Sequence, residues 1–141
     1  MPRFEDSAVS NAQVEEVWKL LYDPARFPEW WAGIETVEPE PGDEGHAARF
    51  TYYPSGYPDY PMPQLLETSR DNRRVVVSCL VSDLHFRWLL EPLASGDTRI
   101  RVEVDIPPEE AHRLATQKTV IRQSLAQLAA LAAEAASDSG A

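Results

Sequence analysis

The sequence contains a single cysteine, Cys79, so no disulfide can form within the chain. This scarcity is consistent with a reducing compartment. Because Cys79 lies in the apolar run VVVSCLV and has no base beside it in sequence, we expect a buried, unreactive thiol.

Positive charge is also scarce: 13 Lys and Arg residues face 23 Asp and Glu residues, which leaves a formal net charge of -10. A field of this sign repels phosphate backbones, so we expect no nucleic-acid partner. No apolar run reaches the roughly 18 residues that span a bilayer, and residues 1–10 lack the apolar centre of a signal peptide. We therefore expect a soluble, cytoplasmic protein with no membrane span.

Familiar catalytic motifs are missing as well. The sequence contains no GxSxG, no glycine-rich phosphate loop and no HExxH. His46, His85 and His112 lack the spacing of metal ligands. We therefore expect neither a metal nor a cofactor.

What the sequence does contain is a regular order of secondary-structure elements. A chain of 141 residues has the size of one domain, and we expect a single domain over residues 1–136 with a flexible tail over 137–141. The loosely alternating residues 3–10 (RFEDSAVS) predict an opening strand.

Two short helices are predicted next. Apolar residues recur at helical spacing between positions 14 and 21, and Ser10 with Gln13 fits a capping box for this first helix. Asp23 and Pro24 suit the N-cap and first turn of a second helix, which Pro28 limits to about two turns.

Six further strands and a long helix complete the predicted order. Turn residues bound strand candidates at 33–38, 46–53, 62–69, 74–81, 84–91 and 98–106. The last strand alternates apolar and charged residues, as an antiparallel strand with one wet face does. The sequence PPEE from position 107 is typical of a helix start. A stripe of apolar residues then predicts a long C-terminal helix: Leu114, Ile121, Leu125, Leu128 and Ala132.

This order, together with the segment SNAQVEEVWKLLYDPARFPEWWAGIETVEP, resembles the START-like or birch-pollen-allergen-like superfamily (SRPBCC), in its polyketide cyclase/dehydrase-like branch. The Asn11-Ala12 pair departs from the Ala-Pro of many relatives, which affects only the capping of the first helix. The resemblance extends over nearly the whole chain, and its matching positions are Val17, Trp18, Asp23, Pro28, Trp30, Val37, Glu67, Gly96, Thr98 and Arg99.

The resemblance implies an α+β helix-grip fold. In this fold a curved antiparallel sheet of about seven strands wraps a long C-terminal helix, with two short helices between the first two strands. It also implies a deep cavity between sheet and helix for an apolar or amphipathic ligand. Independently, a strongly curved sheet and one helix leave volume between them that aromatic side chains fill or a ligand occupies.

Residue parity along the predicted strands indicates which side chains face this cavity. It places His85, Arg87 and Glu91 outside, and a shift of one residue would invert the assignment. The inward sets are Phe50 with Tyr52, then Phe86 with Trp88 and Leu90, then Ile100 with Val102 and Val104. The candidate ligand-binding residues are accordingly Trp31, Phe50, Tyr52, Tyr60, Phe86, Trp88, Val102, Ile121 and Leu125.

The stretch DPARFPEWW ends in two adjacent tryptophans. Neighbouring residues on a helix point about 100° apart, so Trp30 and Trp31 cannot fill the same site. We expect Trp30 in the core and Trp31 either at the cavity mouth or in solvent.

The segment TYYPSGYPDYPMP, residues 51–63, displays amphipathic rings on a backbone stiffened by proline. It is compatible with an ordered surface loop, an aromatic gate for a ligand, or a dimer contact. The sequence therefore leaves monomer and homodimer open.

Catalytic candidates are few. Tyr52, Tyr53 or Tyr60 can polarise a carbonyl through a hydrogen bond, and the sequence singles out none of them. Asp83 and His85 can form an orienting pair on one strand face, although Ser82 and Asp83 also suit a turn.

Three functions are compatible with this sequence. The first is binding of a hydrophobic or aromatic small molecule in an internal cavity. The second is a cofactor-independent enzyme resembling a polyketide cyclase, aromatase or dehydratase, which requires a buried polar cluster facing the cavity. The third is a protein-binding module that docks a partner on the tyrosine-rich loop, and a filled interior would favour it.

Overall fold

The computed structural model describes residues 3–39, 47–57, 59–80 and 84–139. The strands in these ranges are β1 (Arg3–Ser10), β2 (Ile34–Pro39), β3 (Ala47–Pro54), β4 (Met62–Ser69), β5 (Arg74–Cys79), β6 (His85–Pro92) and β7 (Thr98–Asp105). The helices are α1 (Val14–Leu21), a first 3₁₀ helix (Pro24–Glu29), a second 3₁₀ helix (Pro108–Arg113) and α2 (Leu114–Ser139).

The strands form one antiparallel sheet in the order β1-β7-β6-β5-β4-β3-β2. Consecutive strands from β2 to β7 are neighbours, whereas β1 pairs with β7 at the opposite edge from β2. The connection from β1 to β2 carries α1 and the first 3₁₀ helix, and α2 packs against β1 and α1. This is the α+β helix-grip fold that the sequence predicted.

Alternation of side chains along the strands builds the core. In β6 and β7 every second residue is buried, among them Trp88, Val102 and Val104, whereas Arg87 lies on the opposite face and pairs with Asp105. The strand parity predicted from the sequence is therefore confirmed. On α2 the buried residues include Ile121, Leu125, Leu128 and Ala132 of the predicted apolar stripe.

The start of α1 differs from the prediction. Gln13 is the N-cap residue, but its side chain makes no capping hydrogen bond. The Ser10 hydroxyl instead accepts from the Ala12 N–H at 3.2 Å and donates to the Ala129 carbonyl of α2 at 2.8 Å. The predicted capping box is wrong because Ser10 is buried beside α2, where a tertiary hydrogen bond takes its hydroxyl.

The first 3₁₀ helix begins as predicted, because the Asp23 carboxylate accepts from the Ala25 N–H at 3.0 Å. Its six residues make about two turns at 3 residues per turn. Pro28 lies inside this helix, which ends one residue later at Glu29.

The start of the C-terminal helix also differs from the prediction. The PPEE segment opens the second 3₁₀ helix, and Glu110 has non-helical backbone angles, so α2 begins only at Leu114. At the other end the helical backbone is described to Ser139, and the flexibility of the tail stays a prediction. Alanine, which has the highest helix propensity, dominates the preceding turns and favours the helix there. No helix in the described ranges is long and apolar enough to cross a membrane.

Trp30 anchors the first 3₁₀ helix to the sheet, so its removal should cost much of the folding free energy. Its side chain is 0% exposed, its Nε1 donates to the Leu20 carbonyl at 2.9 Å, and its ring packs against Trp88 at 5.1 Å. We expect Trp30→Ala to lower the free energy of unfolding by about 3–5 kcal/mol. Chemical denaturation measures this loss.

The matched control is Tyr57→Ala, which removes a ring that is 67% exposed and should change stability by no more than about 0.5 kcal/mol. Equal midpoints for the two variants would contradict the anchoring role of Trp30.

Candidate functional site

A cavity of about 800 Å³ lies between the sheet and the helices. Its floor comes from the inner faces of β3 and β4, with single side chains from β5 and β6. The second 3₁₀ helix and the first turns of α2 form the facing wall, through Glu110, Arg113 and Val120 among others. The protein's side chains therefore leave a space between sheet and helices that is large enough for a small-molecule ligand.

One side of the cavity is an aromatic wall made by Trp31, Phe50 and Phe86. Trp31 is 6% exposed, and its ring lies 5.0 Å from that of Phe86 and 5.2 Å from that of Trp88. The residue after it, Ala32, donates its backbone N–H to Ser124 Oγ of α2 at 2.9 Å. Trp31 is thus held by the core on one side and faces the cavity on the other.

Polar side chains interrupt this apolar lining. Tyr52 and Gln64 come from the sheet, and Glu110 and Arg113 from the second 3₁₀ helix. Arg113 Nη1 donates to Glu110 Oε1 at 2.7 Å. Burial raises the pKa of the Tyr52 hydroxyl; the nearby Cys79 raises it further and Arg113 opposes the change. Tyr52 therefore stays a neutral hydrogen-bond donor at physiological pH.

Two polar atoms of this lining are buried without a hydrogen-bond partner among the described residues, Gln64 Nε2 and Glu110 Oε2. The indole Nε1 of Trp88 is also unpaired within the same ranges, but Trp88 belongs to the core. Unpaired buried polar atoms are few in folded proteins. The cavity lining contains two of them.

The mouth of the cavity carries the tyrosine-rich loop between β3 and β4. Tyr57 and Tyr60 both line the cavity and are 67% and 62% exposed. The positive φ of 84° at Gly56 permits the turn that begins this loop. Two amphipathic rings therefore border the opening.

The structure divides the predicted ligand-binding residues into two groups. Trp31, Phe50, Tyr52, Tyr60 and Phe86 line the cavity. The other four are absent from its lining and are buried in the core: Trp88, Val102, Ile121 and Leu125. Parity correctly identified the inward faces of β3, β6 and β7. It carries no information on which part of an inward face the core already covers.

The histidine candidate for catalysis lies away from the cavity. His85 is outside the lining, and its Nδ1 is 3.0 Å from Ser78 Oγ of the neighbouring strand. Asp83, its predicted partner, and His46 lie outside the described residues. Within the described ranges no group of three or more His, Cys, Asp or Glu side chains is placed to hold a metal ion.

Sequence reasoning missed Gln64, Glu110 and Arg113. A signal existed for Gln64, since it shares its strand parity with the buried Leu66, and a polar residue at an inward position is unusual. No comparable signal existed for Glu110 and Arg113, because a charged pair three residues apart near a helix start is typical of a solvated surface.

The burial of Tyr52 predicts a late titration. The folded protein holds the Tyr52 proton above the ordinary pKa of 10.0, while the unfolded chain releases it near that value. The contribution of Tyr52 to the free energy of unfolding is therefore constant below pH 10.0 and falls as the pH rises further. Ultraviolet absorbance, followed as the pH rises, measures the pH at which each tyrosinate forms.

Tyr53 also has a raised pKa, caused by desolvation and by Glu38, so the wild-type curve is compared with that of Tyr52→Phe. The difference should be one tyrosine that ionises late. A difference that titrates with the ordinary tyrosines would contradict the buried position of this hydroxyl.

Solved structures with the same fold support this architecture, although a search of curated proteins finds no match. A protein from Nitrosospira multiformis aligns with a TM-score of 0.74 at 21% identity and covers 92% of this chain and 94% of its own. The ZhuI aromatase/cyclase from Streptomyces sp. R1128 aligns with a TM-score of 0.72 at 12% identity and covers 96% and 93%. At such identities the likeness shows the fold.

A third structure is the di-domain aromatase/cyclase BexL from the BE-7585A biosynthetic pathway, with a TM-score of 0.75 at 18% identity. The alignment covers 92% of this chain and 45% of BexL. The sequence itself matches the family model described as "Polyketide cyclase / dehydrase and lipid transport" over residues 1–136. The chain therefore belongs to the polyketide cyclase/dehydrase and lipid transport family, within the START-like superfamily.

Proposed function

We propose that this protein binds a hydrophobic or aromatic small molecule in its internal cavity. The observation that carries the proposal is a cavity of about 800 Å³ with an aromatic wall of Trp31, Phe50 and Phe86. Small-molecule pockets commonly have volumes of about 300–1,000 Å³ and a predominantly apolar lining with a few polar groups. Removal of apolar ligand surface from water is the expected driving force.

The position of Trp31 makes binding observable. Its indole lies in the cavity wall, and its ring centroid is 5.4 Å from that of Trp30. A bound molecule therefore changes the surroundings of Trp31, and tryptophan fluorescence measures this change. At the mouth, Tyr57 and Tyr60 offer rings that can cover a bound molecule while their hydroxyls remain in water. We assign these two tyrosines to ligand entry.

A ring added to the cavity should block binding. Val120 of α2 lines the cavity, so Val120→Trp places an indole in the space that the ligand needs. We expect the affinity for the neutral dye Nile red, measured by its fluorescence, to fall by at least about tenfold, or 1.4 kcal/mol. The matched control is Gln123→Trp, which adds the same ring to an exposed position of α2 and should leave the affinity unchanged.

Equal loss of affinity in both variants, or a wild-type protein that binds Nile red no more than unfolded chain does, would contradict binding in the cavity. A wider panel of polycyclic aromatics and lipids extends the search for the preferred ligand.

A second candidate function is catalysis of ring closure and dehydration, as in a polyketide cyclase or dehydratase. The observation that favours it is the set of polar side chains on the cavity, Tyr52, Gln64 and the Glu110–Arg113 pair. A cavity that folds a flexible chain raises the effective concentration of its reacting carbons. The neutral Tyr52 hydroxyl can donate to a carbonyl oxygen as negative charge develops there. His85 has no part in this scheme, because it lies outside the cavity.

Catalysis predicts that Tyr52→Phe lowers the rate of cyclisation of a flexible poly-carbonyl substrate by about a hundredfold, since it removes one donor to the developing oxyanion. Product formation is followed by mass spectrometry, and Nile red affinity shows whether binding survives. Tyr53→Phe is the control, because the Tyr53 hydroxyl lies outside the cavity lining and donates to Glu38 Oε2 at 3.3 Å. Equal rates for both variants and the wild type would exclude this role for Tyr52.

A filled interior would have favoured the partner-docking alternative. The cavity removes the observation that would have favoured it, and monomer and homodimer both remain compatible with the ligand-binding proposal.

A further inference from the structure

The amide of Gln64 is an unsatisfied hydrogen-bonding group on the cavity. Gln64 lies in β4 between its Cα partners Phe50 of β3 and Cys79 of β5, and it is 2% exposed. Its Nε2 has no hydrogen-bond partner among the described residues, yet the side chain lines the cavity. A buried donor without a partner has lost its hydrogen bonds to water and gained none in the protein, which raises the free energy of the folded state. A ligand oxygen would relieve that cost.

A second unsatisfied atom lies on the facing wall. Glu110 Oε1 accepts from Arg113, but Glu110 Oε2 is buried and has no partner within the described part of the chain. Glu110 belongs to the second 3₁₀ helix and Gln64 to the sheet. The unpaired donor and the unpaired acceptor therefore lie on different walls, where they match different groups of one ligand.

The charges of the lining indicate that the ligand is uncharged. Arg113 is the one cation among the described lining residues, and Glu110 neutralises it at 2.7 Å. The whole chain carries a formal net charge of -10. A carboxylate such as a fatty-acid anion would therefore meet no free positive charge in the cavity and would pay for its desolvation.

We propose that the ligand is an uncharged ring compound bearing an acceptor oxygen for the Gln64 amide and a hydroxyl that donates to Glu110. This inference rests on the proposed function, because it specifies the occupant of the same cavity. The terminal torsions of Gln and Glu are broad, so a small rotation turns each unpaired atom toward an occupant. Trp31, Phe50 and Phe86 take the rings of the ligand.

A ligand series on one tricyclic skeleton tests the proposal in the wild-type protein. Fluorene has no polar group, fluorenone adds an acceptor, the hydroxyfluorenone isomers add a donor, and fluorenone carboxylate adds a negative charge. By calorimetry we expect fluorenone to bind about fivefold to tenfold more tightly than fluorene, the range of one neutral hydrogen bond. The best hydroxyfluorenone isomer should bind more tightly again, and the carboxylate most weakly.

Two substitutions assign these differences to residues. Gln64→Met keeps the length of the side chain and removes the amide, so it should abolish the preference for fluorenone while fluorene binds as before. Glu110→Gln leaves Arg113 without its counter-charge, so it should strengthen binding of fluorenone carboxylate by about tenfold. The matched control is Glu109→Gln, which removes the same charge from an exposed neighbour outside the lining.

The outcomes separate this inference from the proposed function. Fluorene and fluorenone binding equally well to the wild type would overturn the inference and leave cavity binding intact. Tighter binding of the carboxylate than of fluorenone would also overturn it. If neither the series nor Nile red gives saturable binding, both proposals fail. The wild-type series decides the matter even if Gln64→Met does not fold.

Discussion

The packing of Trp30 and Trp31 against Trp88 is the contact on which the rest of the site depends. It fastens the first 3₁₀ helix to β6 through rings whose centroids lie 5.1–5.2 Å apart. Trp30 fills the core and donates to the Leu20 carbonyl, which links the same point to α1. Because the two residues are adjacent, burial of Trp30 determines where Trp31 stands. A contact made for stability therefore also builds one wall of the cavity.

The cavity itself follows from how one helix covers a seven-stranded sheet. α2 packs against β1 and α1, while most of the sheet residues that line the cavity come from β3 and β4, further along the sheet. The covered half is filled by close-packed side chains such as Trp88, Val102 and Leu125. The inward side chains of β3 and β4 instead border the cavity, and the second 3₁₀ helix and the first turns of α2 lie on its far side. Apolar residues with the same strand parity thus become core in one half and cavity wall in the other.

The polar groups of the cavity determine which hydrogen bonds this mostly apolar site can offer. Buried Gln64 and the Glu110 carboxylate offer hydrogen bonds that the described protein groups leave unused, and Tyr52 adds a hydroxyl whose raised pKa keeps it protonated. The Arg113 charge is already matched by Glu110. In the proposed ligand-binding role, these groups would favour ligands that offer oxygen atoms and no net charge. The same groups make binding and carbonyl chemistry compatible uses of one site.

The sequence by itself determined the features that arise within a single element. Alternation in β7 specified its buried face, the apolar stripe specified the buried face of α2, and Asp23 specified the start of the first 3₁₀ helix. Local geometry decides each of these, because side-chain direction follows from the period of the backbone.

The tertiary structure alone decided what each inward-facing residue meets. The sequence predicts that Ser10 caps α1, but its hydroxyl donates to α2. The sequence also predicts that Trp88 lines the cavity, but Trp30 and Trp31 cover it. The Glu110–Arg113 pair has the spacing of a surface ion pair and became part of the site only because the second 3₁₀ helix faces the sheet. These outcomes depend on contacts between residues distant in sequence, and local periodicity carries no information about such contacts.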